Sequence, residues 1–157
     1  MAKAAVYIKT SVVSYLTATP SRDLITAAHQ QLTHAWWGSR DHFDLYVSDA
    51  VVDEAARGNA DAAARRLAAL QGCTILAVND RVRDLAQRLL KSTALPARAA
   101  IDAVHVAAAA VNGMDFLLTW NCTHIANATT RGKIERTCRL AGFQPPVICT
   151  PEELVEV

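Results

Sequence analysis

Residues 100–121, AIDAVHVAAAAVNGMDFLLTWN, decide how this chain is read. Alanine and valine dominate up to Asn112-Gly113, a pair suited to stopping a helix. Pro96, shortly before, fits a first helical turn. Alanine on nearly every face lets neighbours approach closely, so this helix is expected near the centre of the molecule. A short apolar strand, DFLLTW, follows at 115–120 and meets Asn121 at its end. Within the apolar helix stands Asp102. A buried carboxylate is costly unless something stabilises it. His105 lies one turn later on roughly the same face. The alternative, an Asp turned to solvent, stays open from the helix alone.

The same alternation extends in both directions. AAVYI (4–8) reads as a buried strand that ends in a polar loop at Lys9, Thr10 and Ser11. A helix is expected over 21–37, with Ser21 as N-cap and Leu24, Ala28, Leu32 and Trp36 along one face. FDLYVS (43–48) is a strand. VVDEAARG (51–58) is a short helix closed by Gly58, and a second helix covers 60–72. TILAV (74–78) is a strand, followed by an amphipathic helix at 80–92 with Val82, Leu85, Ala86 and Leu89 on one side. Residues 129–142 form a late helix weakened by Gly132, and PVICT (146–150) is the last strand. About five strands alternating with helices define an α/β domain with a mostly parallel sheet. No repeat or linker divides the 157 residues, so a single domain over 1–157 is expected. Sites in such sheets form at the C-terminal strand ends. Those ends hold Lys9-Thr10, Ser48-Asp49, Asn79-Asp80, Thr119-Trp120-Asn121 and Cys149-Thr150.

Bulk properties narrow the function. Hydrophobic residues make up 52% of the chain, enough for a sizeable core. Lys and Arg number 16 against 15 Asp and Glu, so no global field attracts nucleic acid and any such binding needs a local patch. Cys73, Cys122, Cys138 and Cys149 form no C-x-x-C pair, which argues against zinc. No secretory signal opens the chain, and the apolar tract VHVAAAAV is too short to span a bilayer. A soluble cytoplasmic protein with reduced thiols is expected.

Three polar pieces carry possible chemistry. Glu54, beside Asp53 after the second strand, can point back toward the sheet ends or serve as an ordinary first-turn acid. Asn121 can orient a water or ligand, or cap the next helix. Asp102 is the third. There is no GxGxxG, no Walker A and no G-x-S-x-G elbow. Cys122 and His124 are near neighbours in sequence, but a Cys–His nucleophile pair normally meets through the fold. His29, His34 and His42 read as structural.

Taken in order, the strand ending in Thr10-Ser11, then VVDE, then IDAVHVAAAA, then FLLTWN resembles the PIN-domain family, which includes the VapC-type toxins of toxin–antitoxin pairs. The resemblance implies a three-layer α/β/α sandwich and an endoribonuclease dependent on Mg²⁺ or Mn²⁺. Carried over position by position, it places metal-holding or catalytic roles on Glu54, Asp102 and Asn121, with Thr119 and Thr10 lining the site. The family's first acid falls on Lys9. Mg²⁺ takes hard oxygen ligands, and an ammonium has no lone pair to offer. Two unit charges about 4 Å apart at an effective dielectric of ~20 interact by roughly 4 kcal/mol, and a loss of that size is about a thousandfold in affinity. Lys9 is therefore expected either to sit between Glu54 and Asp102 in place of the metal or to swing into solvent.

The resemblance leaves two versions: a metal-dependent ribonuclease of weakened or lost activity, and an inactive PIN-fold module that binds RNA or protein. An unrelated metabolic α/β enzyme is the remaining alternative. RNA, an antitoxin-like protein and a second copy of the chain are the implied partners. Lys3, Lys9, Arg98, Arg131 and Lys133 are candidate RNA contacts. Trp36, Trp37 and Trp120 are candidates for base stacking or for packing.

Overall fold

Val6, Tyr7 and Ile8 follow one another in a single strand, and none has exposed surface. Successive strand side chains point to opposite faces, so this strand lies between two covering layers. The computed structural model, which describes residues 2–92, 99–121, 125 and 127–155, makes it the middle of a five-stranded parallel sheet. The strands are β1 (Ala4–Ile8), β2 (Phe43–Ser48), β3 (Thr74–Leu76), β4 (Phe116–Leu118) and β5 (Val147–Cys149), in the order β3-β2-β1-β4-β5. The helices are α1 (Thr10–Thr17), α2 (Leu24–Trp37), α3 (Asp49–Ala55), α4 (Ala60–Ala69), α5 (Asp80–Ser92), α6 (Ala100–Val111) and α7 (Ala128–Leu140). Helix α1 packs on α2, α3 and α4, while α5 packs on α6 and α7, giving the expected three layers.

The chain builds outward from β1 to β3, then returns to add β4 and β5 on the other side. The reversal lies between β1 and β4. Their carboxyl ends diverge there into different connections, which opens a crevice. Lys9 follows β1, and Thr119 to Asn121 follow β4. Helix α6 is the Ala-rich helix expected near the centre: Ala103, Val106, Ala107, Ala108 and Ala109 are fully buried. Val82, Leu85, Ala86 and Leu89 of α5 form the expected buried stripe.

The structure corrects several local expectations. No polar loop follows β1. Lys9 takes an extended backbone as N-cap, with φ −78° and ψ 157°, and α1 begins at Thr10. Asp23 rather than Ser21 caps α2, its side chain accepting from Thr26 N at 2.9 Å. The face drawn through Leu24, Ala28, Leu32 and Trp36 is not the buried one: Trp36 is buried but Leu24 is 84% exposed. Steps of four residues advance about 400° around a helix, so such a row drifts by some 40° per step and leaves the core. Helix α3 starts at Asp49, two residues earlier than expected. Strands β3, β4 and β5 are trimmed to three residues each. Past β3, Val78 N donates to the Asp49 carboxylate at 3.3 Å instead of to a ladder. Pro96, Arg98, Cys122 and His124 lie outside the described residues. Among the described residues no helix is long and apolar enough to cross a membrane.

Candidate functional site

Alternation along β1 puts Tyr7 and Lys9 on one face, the face covered by α6. Asp102 and His105 stand one turn apart on that helix, and both are buried. Lys9 therefore meets Asp102, and Tyr7 meets His105. The Lys9 ammonium forms an ion pair and hydrogen bond with Asp102 Oδ1, with both side chains only 7% exposed. The other oxygen, Oδ2, accepts from Asn121 Nδ2 at 3.0 Å. Asn121 is held by its own backbone N–H, which donates to Thr119 Oγ1 at 2.9 Å. Ser11 Oγ lies 3.5 Å from Thr119 Oγ1 and accepts from Trp120 N at 3.1 Å. Residues after β1 and after β4 are thus stitched across the crevice.

Glu54 enters from α3. Its Oε1 accepts from Thr10 Oγ1 at 2.8 Å and bonds His105 Nε2 at 2.6 Å. His105 Nδ1 lies 2.7 Å from Tyr7 OH, which lies 2.7 Å from Ser48 Oγ. Burial lowers the His105 pKa and keeps the imidazole neutral. Partial burial pushes Glu54 up. The His105 and Thr10 hydrogen bonds and the nearby Lys9 charge outweigh it, and its pKa is lowered. Burial raises the Tyr7 pKa far enough to keep the phenol protonated. These states fix the direction of every proton. An ionised carboxylate only accepts, so His105 Nε2 carries the hydrogen and Nδ1 accepts. Tyr7 then donates to Nδ1, and Ser48 donates to Tyr7. An oriented chain runs from Ser48 through Tyr7 and His105 to Glu54.

The fold thus gathers Lys9, Thr10, Glu54, Asp102, Thr119 and Asn121 at one end of the sheet. Asp53, next to Glu54, stays exposed on the outer side of α3. Asn121 does not cap the following helix; Asn127 does. Among the described candidates for RNA contact, Lys3 and Lys9 stand apart. Lys3 precedes β1 and lies about 20 Å of extended chain from Lys9, at the opposite end of the strand. Lys9 is committed to Asp102, and Arg131 donates to Ile148 O at 3.2 Å. The tryptophans pack. Trp36 stacks on Phe43, Trp37 carries Arg40 over its ring, and Trp120 stacks on His29 while donating to Thr33 at 2.8 Å. Burial pushes the Cys73 and Cys138 thiols up to about 11 and Cys149 to about 12, which leaves them unreactive near neutrality. Sequence reasoning put Ser48 at a strand end and Ser11 after the first strand without giving either a role, and missed Tyr7. For Tyr7 the signal was present, because a strand residue two before Lys9 must share its face.

A divalent ion fits these donors poorly as they stand. Asp102 already receives N–H hydrogens on both oxygens, and Glu54 Oε1 receives two more donors. Among the described residues no group of three or more His, Cys, Asp or Glu side chains is arranged to hold a metal.

The family model for the PIN domain matches residues 6–121, from the middle of β1 to Asn121. The chain belongs to the PIN domain family. Among solved structures its fold is similar to VapC20 of Mycobacterium tuberculosis, a sarcin–ricin loop cleaving toxin, at 16% identity and a TM-score of 0.60 over 90% of this chain and 99% of that one. It is also similar to VapBC2 of Rickettsia felis bound to a DNA fragment from their promoter, at 10% identity and a TM-score of 0.58 over 93% and 98% of the two chains. No curated protein matches the sequence.

Proposed function

We propose that the chain, as a single PIN-like domain over residues 1–157, is a VapC-like protein directed at RNA in which metal-dependent cleavage is weak or lost. One observation carries this reading: the buried contact of the Lys9 ammonium with Asp102, Lys9 being the residue on which the resemblance to the PIN family puts its first acid. The family's hydrolysis needs carboxylates that bind a divalent ion and water. Here the corresponding carboxylate is bonded to an internal cation. RNA as the ligand is supported by the fold shared with a sarcin–ricin loop cleaving toxin. An antitoxin-like protein and a second copy of the chain are the other proposed partners, the first supported by the fold shared with VapBC2.

The test is cleavage and binding of a labelled RNA hairpin with Mn²⁺ and with chelator. The wild-type chain binds the hairpin in both conditions, and Lys9→Asp cleaves it at least about a hundredfold faster, the factor corresponding to roughly 2.7 kcal/mol of barrier. Wild-type cleavage equal to that of Lys9→Asp, and abolished by Asp102→Ala, contradicts the reading. It favours the second one, an active ribonuclease whose lysine moves aside. That alternative draws on the flexible lysine stem and on the partly exposed, ionised Glu54.

A further inference from the structure

We infer that Lys9 is a built-in replacement for a divalent ion, closing a metal centre that the surrounding donors still outline. The inference rests on the PIN-type reading above and adds to it a role for the lysine in holding the fold together.

Chemistry and placement both point this way. Lys9 is not a loop residue free to turn outward. Its N–H donates to Leu118 O at 3.0 Å, its carbonyl accepts from Val12 N at 3.1 Å, and it caps α1. Its side chain is buried and ends on Asp102. A buried ammonium and a buried carboxylate are each costly alone, and each compensates the other here. Asp102 from α6 bonds the ammonium, Asn121 from the end of β4 bonds the same carboxylate through its amide nitrogen, and the Glu54 carboxylate of α3 lies near enough for the Lys9 charge to lower its pKa. A cation at this point holds those elements together. In this chain that cation is covalently attached, so stability at this end of the sheet does not depend on metal supply. Replacing Lys9 by a shorter or neutral side chain transfers the same electrostatic requirement to the solvent. The variant protein then depends on a divalent ion for part of its stability.

The experiment is thermal unfolding of the full chain with about 1 mM MnCl₂ or with EDTA, for wild type, Lys9→Met and Lys9→Asp. The wild-type midpoint moves by less than about 1 °C. Both variants unfold earlier than wild type in EDTA. Mn²⁺ raises Lys9→Asp by about 5–10 °C, as a ligand at roughly a hundredfold its Kd does in a domain of this size. Lys9→Met rises in the same direction by at least about 2 °C, and it decides the matter if Lys9→Asp does not fold. Adding Asp102→Asn to either variant removes the response. A wild-type shift as large as that of the variants overturns the inference, because the lysine then does not close the site. So does a foldable Lys9 variant with no response to Mn²⁺, because the donors then outline no metal centre. Hairpin binding by the wild type in EDTA is read on the same samples. Its loss removes the RNA reading while leaving the Mn²⁺ result intact, so the two failures are told apart.

Discussion

The two acids at the carboxyl end of the sheet stand in opposite surroundings. Asp102 is 7% exposed at its side chain, flanked by an ammonium and an amide. Glu54 is 27% exposed and sits at the end of a chain of neutral donors that begins at Ser48. The first is a charge cancelled by a charge in a dry place. The second is a charge left standing and held in position by hydrogen bonds. The resemblance to the PIN family singled out both acids from sequence, and the residue two before Lys9 accounts for much of the difference between them. Tyr7 reaches His105 and Lys9 reaches Asp102 because both point to the same face of β1. One strand end thereby feeds two unlike networks.

Substitutions in each half break the comparison in different ways. Asp102→Ala leaves a buried ammonium without its carboxylate, and urea unfolding is expected to show a loss of about 3–5 kcal/mol. Tyr7→Phe keeps the ring but strips the donor from His105 Nδ1 and the acceptor from Ser48, for a loss of about 1–3 kcal/mol. Glu54→Gln retains an oxygen that accepts from Thr10 and His105, so its loss is expected near 1 kcal/mol. If Glu54→Gln proves as damaging as Asp102→Ala, the two halves are not distinct. The smallest effect is one of pH. His105 has a folded pKa below its ordinary 6.5, so the unfolded chain takes up the proton first as pH falls. Its contribution is complete above about 6.5 and declines toward the lower folded value. Glu54, also lowered, adds to the loss below its ordinary 4.5. Unfolding free energies of wild type and His105→Gln between pH 7.5 and 5 sharpen this point: the wild type falls with acid, and the variant has a flatter slope over that interval.

Much of the fold was legible because its signals are local. AAVYI and FDLYVS were bounded by changes in polarity, and both strands end where those changes occur. The stripe on α5 was a matter of helical period. The small departures came from competition that sequence spacing does not display. Asp23 lies nearer the first turn than Ser21 and takes the cap, and α1 starts where a polar loop was expected, with Lys9 as extended backbone in its N-cap position. In the candidate site, Asp102 was conspicuous as a carboxylate in an alanine helix. The oriented chain was not, because Ser48, Tyr7 and His105 are 41 and 98 residues apart in their pairings. Long-range hydrogen bonds leave no periodic trace. Lys3 and Lys9 are close in sequence but stand at opposite ends of one strand.

The most direct measurement is an anomalous difference map from crystals of the wild-type chain and of Lys9→Asp soaked in Mn²⁺. No peak is expected between Glu54 and Asp102 in the wild type, with Lys9 still on Asp102, and a peak is expected there in the variant. A wild-type peak bridging those two carboxylates, with the lysine displaced, contradicts it.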